Sequence, residues 1–127
     1  MFEVPQPDWT GYVADALQAL ATEVGVDGCA LVDMQSGMVL HAVGADIYDE
    51  QMWEAGLSYW RQHERQADIF AMLGPIGGIV LHHPGGMVVI FPLREPGLLA
   101  VAVGQQKQVD WITWQRRLAS LSEAFSP

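Results

Sequence analysis

Residues 46–66 predict an amphipathic helix with more apolar surface than one face of a sheet can cover. Asp46 can cap the first turn, and Arg61 and Arg65 lie near the end, where the helix dipole favours cations. At about 100° per residue the apolar side chains form two neighbouring stripes that together span about 200° of the helix surface. One stripe holds Tyr48, Met52, Ala55, Gly56, Tyr59 and His63, and the other holds Trp53, Leu57 and Trp60.

A helix that lies on a sheet needs an apolar stripe only about 100° wide to bury one side. The excess on this helix predicts two apolar contacts, one with its own sheet and one with a second surface. A long loop of the same chain is one candidate for that surface. A partner helix is the other, most simply the same helix of a second copy, because two-fold homodimers are the commonest soluble oligomers.

Composition predicts one soluble, cytoplasmic domain over residues 1–127, with residues 1–7 as a flexible arm. Hydrophobic residues make up 50% of the chain and charged residues 17%, which argues against disorder. No apolar run reaches the ~18 residues of a membrane helix, no secretory signal is evident, and the single Cys29 excludes an internal disulfide. A net charge of -9 argues against nucleic acid and membrane surfaces as partners.

The periodicity of apolar residues predicts the order helix, strand, strand, helix, strand, strand, strand, helix. This order indicates an α+β fold with a five-stranded antiparallel sheet and helices on both faces. Asp8 is expected to cap the first helix and Gly25 to end it. The predicted strands are 28–34, 38–43, 79–83, 87–93 and 98–103, and the closing helix is 109–125, with a poor N-cap.

Residues 24–44, in this order of elements, resemble the roadblock/dynein light-chain family, whose fold is related to the longin and profilin-like folds. The family's Gly-Val-x-Gly step corresponds to residues 25–28, its strand ending in Val-Asp to residues 31–33, and its glycine-containing hairpin to Ser36-Gly37. The resemblance covers about residues 9 to 125. Five tryptophans and the turn at residues 84–86 depart from the family pattern.

The resemblance implies a homodimer in which the middle helices pack together and the third strands pair edge to edge. It also implies a non-enzymatic regulator or scaffold of a small Ras-like GTPase, as in bacterial gliding-motility regulators, or an adaptor in a motor or signalling assembly. No cofactor is implied, and the chain has no GxxxxGK[ST] phosphate loop. The interface expected from the helix stripes and the third strand comprises Tyr48, Met52, Trp53, Gly56, Leu57, Tyr59, Trp60, His63, Ile79 and Leu81.

No catalytic or metal site is predicted. His82 and His83 are consecutive in a predicted strand, so their imidazoles point to opposite faces. Cys29 is expected to behave as a small hydrophobic residue in a core strand. The acidic residues at 46–54 are most simply explained by helix capping and solvation, or alternatively by contact with a basic partner. A sensory or small-ligand-binding domain is the alternative function, because five tryptophans could line a pocket between helix and sheet.

Overall fold

The computed structural model describes residues 9–44, 50–93, 97–105 and 109–120, with side chains from residue 15 onward. It confirms the predicted order of elements and the α+β class. The helices and strands are α1 (Trp9–Ala21), β1 (Val26–Asp33), β2 (Val39–Gly44), α2 (Glu50–Arg65), β3 (Ile79–His83), β4 (Gly86–Leu93), β5 (Leu98–Gly104) and α3 (Trp111–Ala119), with a short 3-10 helix (Ala71–Leu73) between α2 and β3.

The five strands form one antiparallel sheet in the order β2-β1-β5-β4-β3. The last three strands are therefore a meander, in which each pairs with the next along the chain, and β3 lies at an edge. On β3, Ile79 pairs with Ile90 of β4 and Leu81 pairs with Val88. Within the described part of the chain, the other side of β3 has no strand beside it, which leaves its backbone groups open to a further strand.

Helices cover both faces of the sheet, so alternate residues of a central strand enter two different cores. Cys29 and Leu31 of β1 pack with α1 and α3, whereas Ala30 and Val32 pack beneath α2. A strand that is covered on both faces reads as a continuous apolar run rather than an alternating one. This explains the uninterrupted apolar sequence of β5, in which six of the seven residues are buried.

The boundaries of the first and last helices, α1 and α3, differ from the predicted ones. Helix α1 ends at Ala21, and Gly25 (φ 90°) lies in the turn before β1 rather than at the helix end. The prediction of a poor N-cap for the last helix was wrong, because that helix begins at Trp111 and the Asp110 carboxylate accepts a hydrogen bond from the Thr113 backbone N–H at 3.1 Å. Three further predictions lie outside the described residues: the flexible N-terminal segment 1–7, the caps Asp8 and Asp46, and the end of the last helix at residues 121–125.

The thiol of Cys29 is part of the core between β1 and α1, as predicted. The side chain is fully buried and its Sγ donates to the Leu17 carbonyl oxygen at 3.7 Å. Burial raises the pKa of this thiol to about 12, which keeps it protonated.

Among the described residues, no helix has the length and apolar character that crossing a bilayer requires.

The native protein should therefore resist labelling at Cys29. Because the thiolate is the reactive form, we expect Ellman's reagent at pH 8 to leave the folded protein unmodified and to modify it at once in 6 M guanidinium chloride. The release of the coloured thiolate measures both rates. Rapid labelling of the folded protein would mean that the α1 face of β1 opens readily.

Candidate interaction surface on helix α2 and strand β3

One stripe of α2 packs on the chain's own sheet. Trp53, Leu57 and Trp60 are each at most 4% exposed and contact the core beneath the helix. Gly56 lies on the same side, where a Cβ atom would stand only 2.6 Å from Val101 Cγ2, so its missing side chain lets the helix approach β5 closely. Ile79, at 7% exposed, joins this core. These five predicted interface residues are thus placed in the domain's interior.

The described residues of the other predicted stripe of α2 face outward, except Gly56, which was assigned to that stripe and is buried against β5. Met52 is 38% exposed and Tyr59 is 47% exposed, and Ala55 and His63 are exposed on the same side of the helix. No loop of the described chain covers them, although a covering loop was one of the two explanations for the excess apolar surface. Tyr48, which was predicted to extend this stripe, lies outside the described residues.

A row of aliphatic side chains crosses the α2 face of the sheet from β5 to the edge strand β3. Leu81 of β3 pairs with Val88 of β4, which pairs with Val103 of β5. All three side chains pack against the core under α2 and are only half-buried. We call them the Leu81 row. Helix α2 therefore leaves part of its own face of the sheet uncovered, on the side of the β3 edge.

The position of α2 on the sheet is held by the turn between β1 and β2. Arg61 Nη2 donates to the carbonyl oxygens of Met34 at 3.0 Å and Gln35 at 3.3 Å. The turn itself is held by the Asp33 carboxylate, which accepts hydrogen bonds from Ser36 Oγ at 2.8 Å and from the Gln35 backbone N–H at 3.1 Å. These hydrogen bonds lower the pKa of Asp33. The turn and the helix are thereby fixed relative to each other.

A third apolar feature is the segment 67–76 between α2 and β3, which the predicted interface did not include. Ile69 is 72% exposed, Phe70 52%, Met72 92% and Leu73 79%. The signal in the sequence was a cluster of large apolar residues that neither helix nor strand periodicity accounted for. Together with the end of α2, the segment encloses a groove of about 300 Å³, which is lined by His63, Glu64, Ala67, Phe70, Leu73, Gly74, Pro75 and Ile76.

The tryptophans that suggested a ligand pocket serve as packing residues. Trp53 and Trp60 lie under α2, and Trp114 packs with Trp111 on the opposite face, with ring centroids 5.5 Å apart. None of these four lines the groove beside segment 67–76, and the side chain of Trp9 is outside the described residues. Within the described ranges, no group of three or more His, Cys, Asp or Glu side chains could hold a metal ion.

Comparison with solved structures identifies the fold. The roadblock/LC7 domain from Streptomyces avermitilis is 13% identical, with a TM-score of 0.71 and 94% of each chain covered. The gliding protein MglB from Thermus thermophilus is 15% identical, with a TM-score of 0.68, covering 95% of this chain and 96% of that one. MglB in a tetrameric arrangement is 16% identical, with a TM-score of 0.70, covering 97% of this chain and 96% of that one.

No protein-family model matches the sequence, and no curated protein matches it. The similarity therefore lies in the path of the backbone over nearly the whole chain, at sequence identities below the level at which function carries over. It confirms the fold that the resemblance in residues 24–44 implied: the architecture is that of roadblock/LC7 domains.

Proposed function

We propose that this roadblock/LC7-fold chain is a non-enzymatic homodimeric regulator or scaffold of a small Ras-like GTPase or of a related motor or signalling assembly. The observation that carries the proposal is the presence, in one domain, of the exposed outer stripe of α2, the half-buried Leu81 row and the open edge of β3. An exposed apolar surface of this kind marks an interaction site. The similarity to roadblock domains and to MglB supports a regulatory role rather than a catalytic one.

A second copy is the partner that matches this surface most simply. An edge strand can pair with the same strand of another copy in antiparallel fashion about a two-fold axis, which extends the sheet across both subunits. That arrangement brings the two α2 helices to the same face of the joined sheet, where Met52 and Tyr59 become buried. MglB in a tetrameric arrangement has the same fold, which supports self-association.

The client is expected to carry a basic surface. The chain has 15 acidic and only 6 basic residues. Glu50 and Glu54 are exposed on the side of α2 that faces the β1–β2 turn, away from the Met52 and Tyr59 stripe. A surface of this charge attracts Lys- and Arg-rich partners and accelerates their association at low salt.

The homodimer is tested by Tyr59→Glu. Because this side chain is 47% exposed in one copy, the substitution leaves the fold intact, whereas in the dimer it buries an unpaired charge twice. We expect the dimer dissociation constant to rise at least ~100-fold, which corresponds to about 2.7 kcal/mol. Sedimentation equilibrium measures the constant. Leu57→Arg and Trp60→Glu, which the sequence would suggest, are unsuitable because both residues lie in the core.

Ile112→Glu is the matched control. Ile112 is 67% exposed on α3, on the opposite face of the sheet, so the same charge at that position should leave the dimer unchanged. An unaltered dissociation constant in Tyr59→Glu would remove α2 from the interface. Wild-type protein that remains monomeric at every concentration would refute the homodimer.

The regulatory role is tested with GTPases. The wild-type protein should co-purify from its native cell with a Ras-like GTPase, or with the assembly that such a GTPase controls, and should alter GTP hydrolysis or nucleotide exchange in the purified GTPase. Glu50→Lys together with Glu54→Lys should weaken client binding without affecting the dimer. If the homodimer is recovered alone and none of the encoded Ras-like GTPases responds to it, the regulatory role is wrong.

A further inference from the structure

Segment 67–76, which we call the arm, presents apolar side chains to solvent on an ordered backbone. Backbone N–H groups of Ala67, Phe70, Leu73 and Gly74 each donate to the carbonyl three residues earlier, at 2.8–3.2 Å. The arm is therefore a series of tight turns with a defined shape. Large apolar side chains held in an ordered, exposed arrangement are characteristic of a surface that is covered by a partner.

The position of the arm identifies the partner. The arm directly connects α2 to β3, which are the two elements assigned to the homodimer interface. Ile76 packs against the core under α2, so the arm approaches β3 from the α2 face of the sheet. Any second copy that covers the outer stripe of α2 and pairs with β3 must also come close to the arm.

The register of strand pairing shows what the arm meets. We take the symmetric antiparallel pairing that uses the whole of β3, which is centred on Leu81, the middle of its five residues. Ile79 of one copy then lies opposite His83 of the other. The chain that precedes Ile79, which is the arm, is consequently directed over the end of the second copy's sheet where β3 turns into β4. On the same face, the Leu81 row is the row of large apolar side chains nearest to that turn, and Leu81 and Val88 lie two residues inside the end pair of His83 and Gly86.

The size of the interface supports the same occupant. A stable protein interface buries about 800 Å² and about 20–30 residues on each partner. Strand β3 provides five residues, and the outer stripe of α2 adds Met52, Ala55, Tyr59 and His63. These residues alone are well below the about 20–30 residues that such an interface needs on each partner. Adding the residues of the arm and of the Leu81 row brings their number close to that range.

We propose that the arm of each copy packs across the dimer on the Leu81 row of the other copy. This inference rests on the homodimer proposed above. Two reciprocal arms would bury Phe70, Met72 and Leu73 together with the half-exposed Leu81 and Val88. The interface of each subunit is incomplete without the arm of its partner.

Oxidation of methionine side chains provides a direct test. Met72 is 92% exposed in a single copy, and Met38, which is 63% exposed on the turn between β1 and β2, is an internal control far from β3. We expect hydrogen peroxide to oxidise Met72 at least ~10-fold more slowly in the wild-type dimer than in the Tyr59→Glu monomer, because burial restricts access to the thioether. The rate at Met38 should be the same in both, as measured by peptide mass spectrometry.

The outcomes distinguish failure of the proposed arm contact from failure of the proposed homodimer. If Met52 is protected in the dimer but Met72 reacts as fast as in the monomer, the homodimer stands and the arm contact is wrong. If the wild-type protein forms no dimer, both proposals fail. Met72→Glu provides a second readout: it should raise the dimer dissociation constant at least ~10-fold, whereas a change of less than twofold, equal to the Ile112→Glu control, would overturn the arm contact.

Discussion

Trp114→Ala should lower the free energy of unfolding by about 3–5 kcal/mol, a large share of the roughly 5–15 kcal/mol that stabilises a domain. Trp114 is 2% exposed and its ring packs against Phe91 and Trp111. Its indole Nε1–H donates to the Leu20 carbonyl oxygen at 3.0 Å, which ties α3 to α1. The substitution leaves a cavity and removes the shorter of the two hydrogen bonds that the Leu20 carbonyl oxygen accepts, the other coming from the Glu23 backbone N–H at 3.4 Å. Urea unfolding followed by circular dichroism measures the loss.

Two further variants separate the causes of that loss. Trp114→Phe keeps an aromatic ring and removes the hydrogen bond, so we expect an intermediate cost of about 1–3 kcal/mol. Ile112→Ala, on the exposed side of the same helix, should change stability by less than about 0.5 kcal/mol. A loss below 1 kcal/mol in Trp114→Ala would mean that α3 does not contribute to the cooperative core.

Gly56→Val should destabilise the domain by about 2–3 kcal/mol, because it forces side-chain atoms into a packed core. A Cβ at this position stands 2.6 Å from Val101 Cγ2 and 3.1 Å from Cγ1. Val101 is fully buried, and its branched side chain has little freedom to rotate away. The helix must therefore lift from the sheet. Replacing glycine by valine gains some helix propensity. The gain is only a fraction of the roughly 1 kcal/mol per residue that separates glycine from alanine, so it does not offset the clash.

The clash is tested by removing its other half. Combining Gly56→Val with Val101→Ala should cost at least about 1 kcal/mol less than the sum of the two single changes, because the two residues are in contact. Gly85→Val is the control, since a Cβ at Gly85 meets no atom within 4 Å and the substitution should be nearly neutral. Strict additivity of Gly56→Val and Val101→Ala would show that α2 does not approach β5 at this point.

The part of the fold that depends on local periodicity could be predicted from the sequence. The strand at Ile79–His83 has the predicted boundaries, and those of β2, β4 and β5 differ by one residue at one or both ends. Cap positions were less reliable, because Asp110 and Val109 are both near the start of α3 and only the backbone geometry shows which of them precedes the first helical turn. Helix ends depend on single hydrogen bonds, whereas helix interiors depend on many residues with a common period.

The candidate interaction surface could be predicted only in part. The two stripes of α2 were evident from residue spacing, but both are apolar, and spacing alone does not show which one meets the sheet. The exposed arm at 67–76 has no regular period, so nothing in its sequence distinguishes a buried loop from an exposed one. Its exposure follows from where the chain re-enters the sheet at the β3 edge.

The sequence by itself determined the α+β class, the order of the elements and the fact that α2 carries more apolar surface than one face of a sheet can cover. These features follow from residue period and composition, which are properties of the local chain. The tertiary structure decided that Trp53, Leu57 and Trp60 face inward, that Met52 and Tyr59 face outward and that β3 lies at an edge. These outcomes depend on which distant segments come into contact. Burial is a property of pairs of surfaces, and only the folded chain brings those surfaces together.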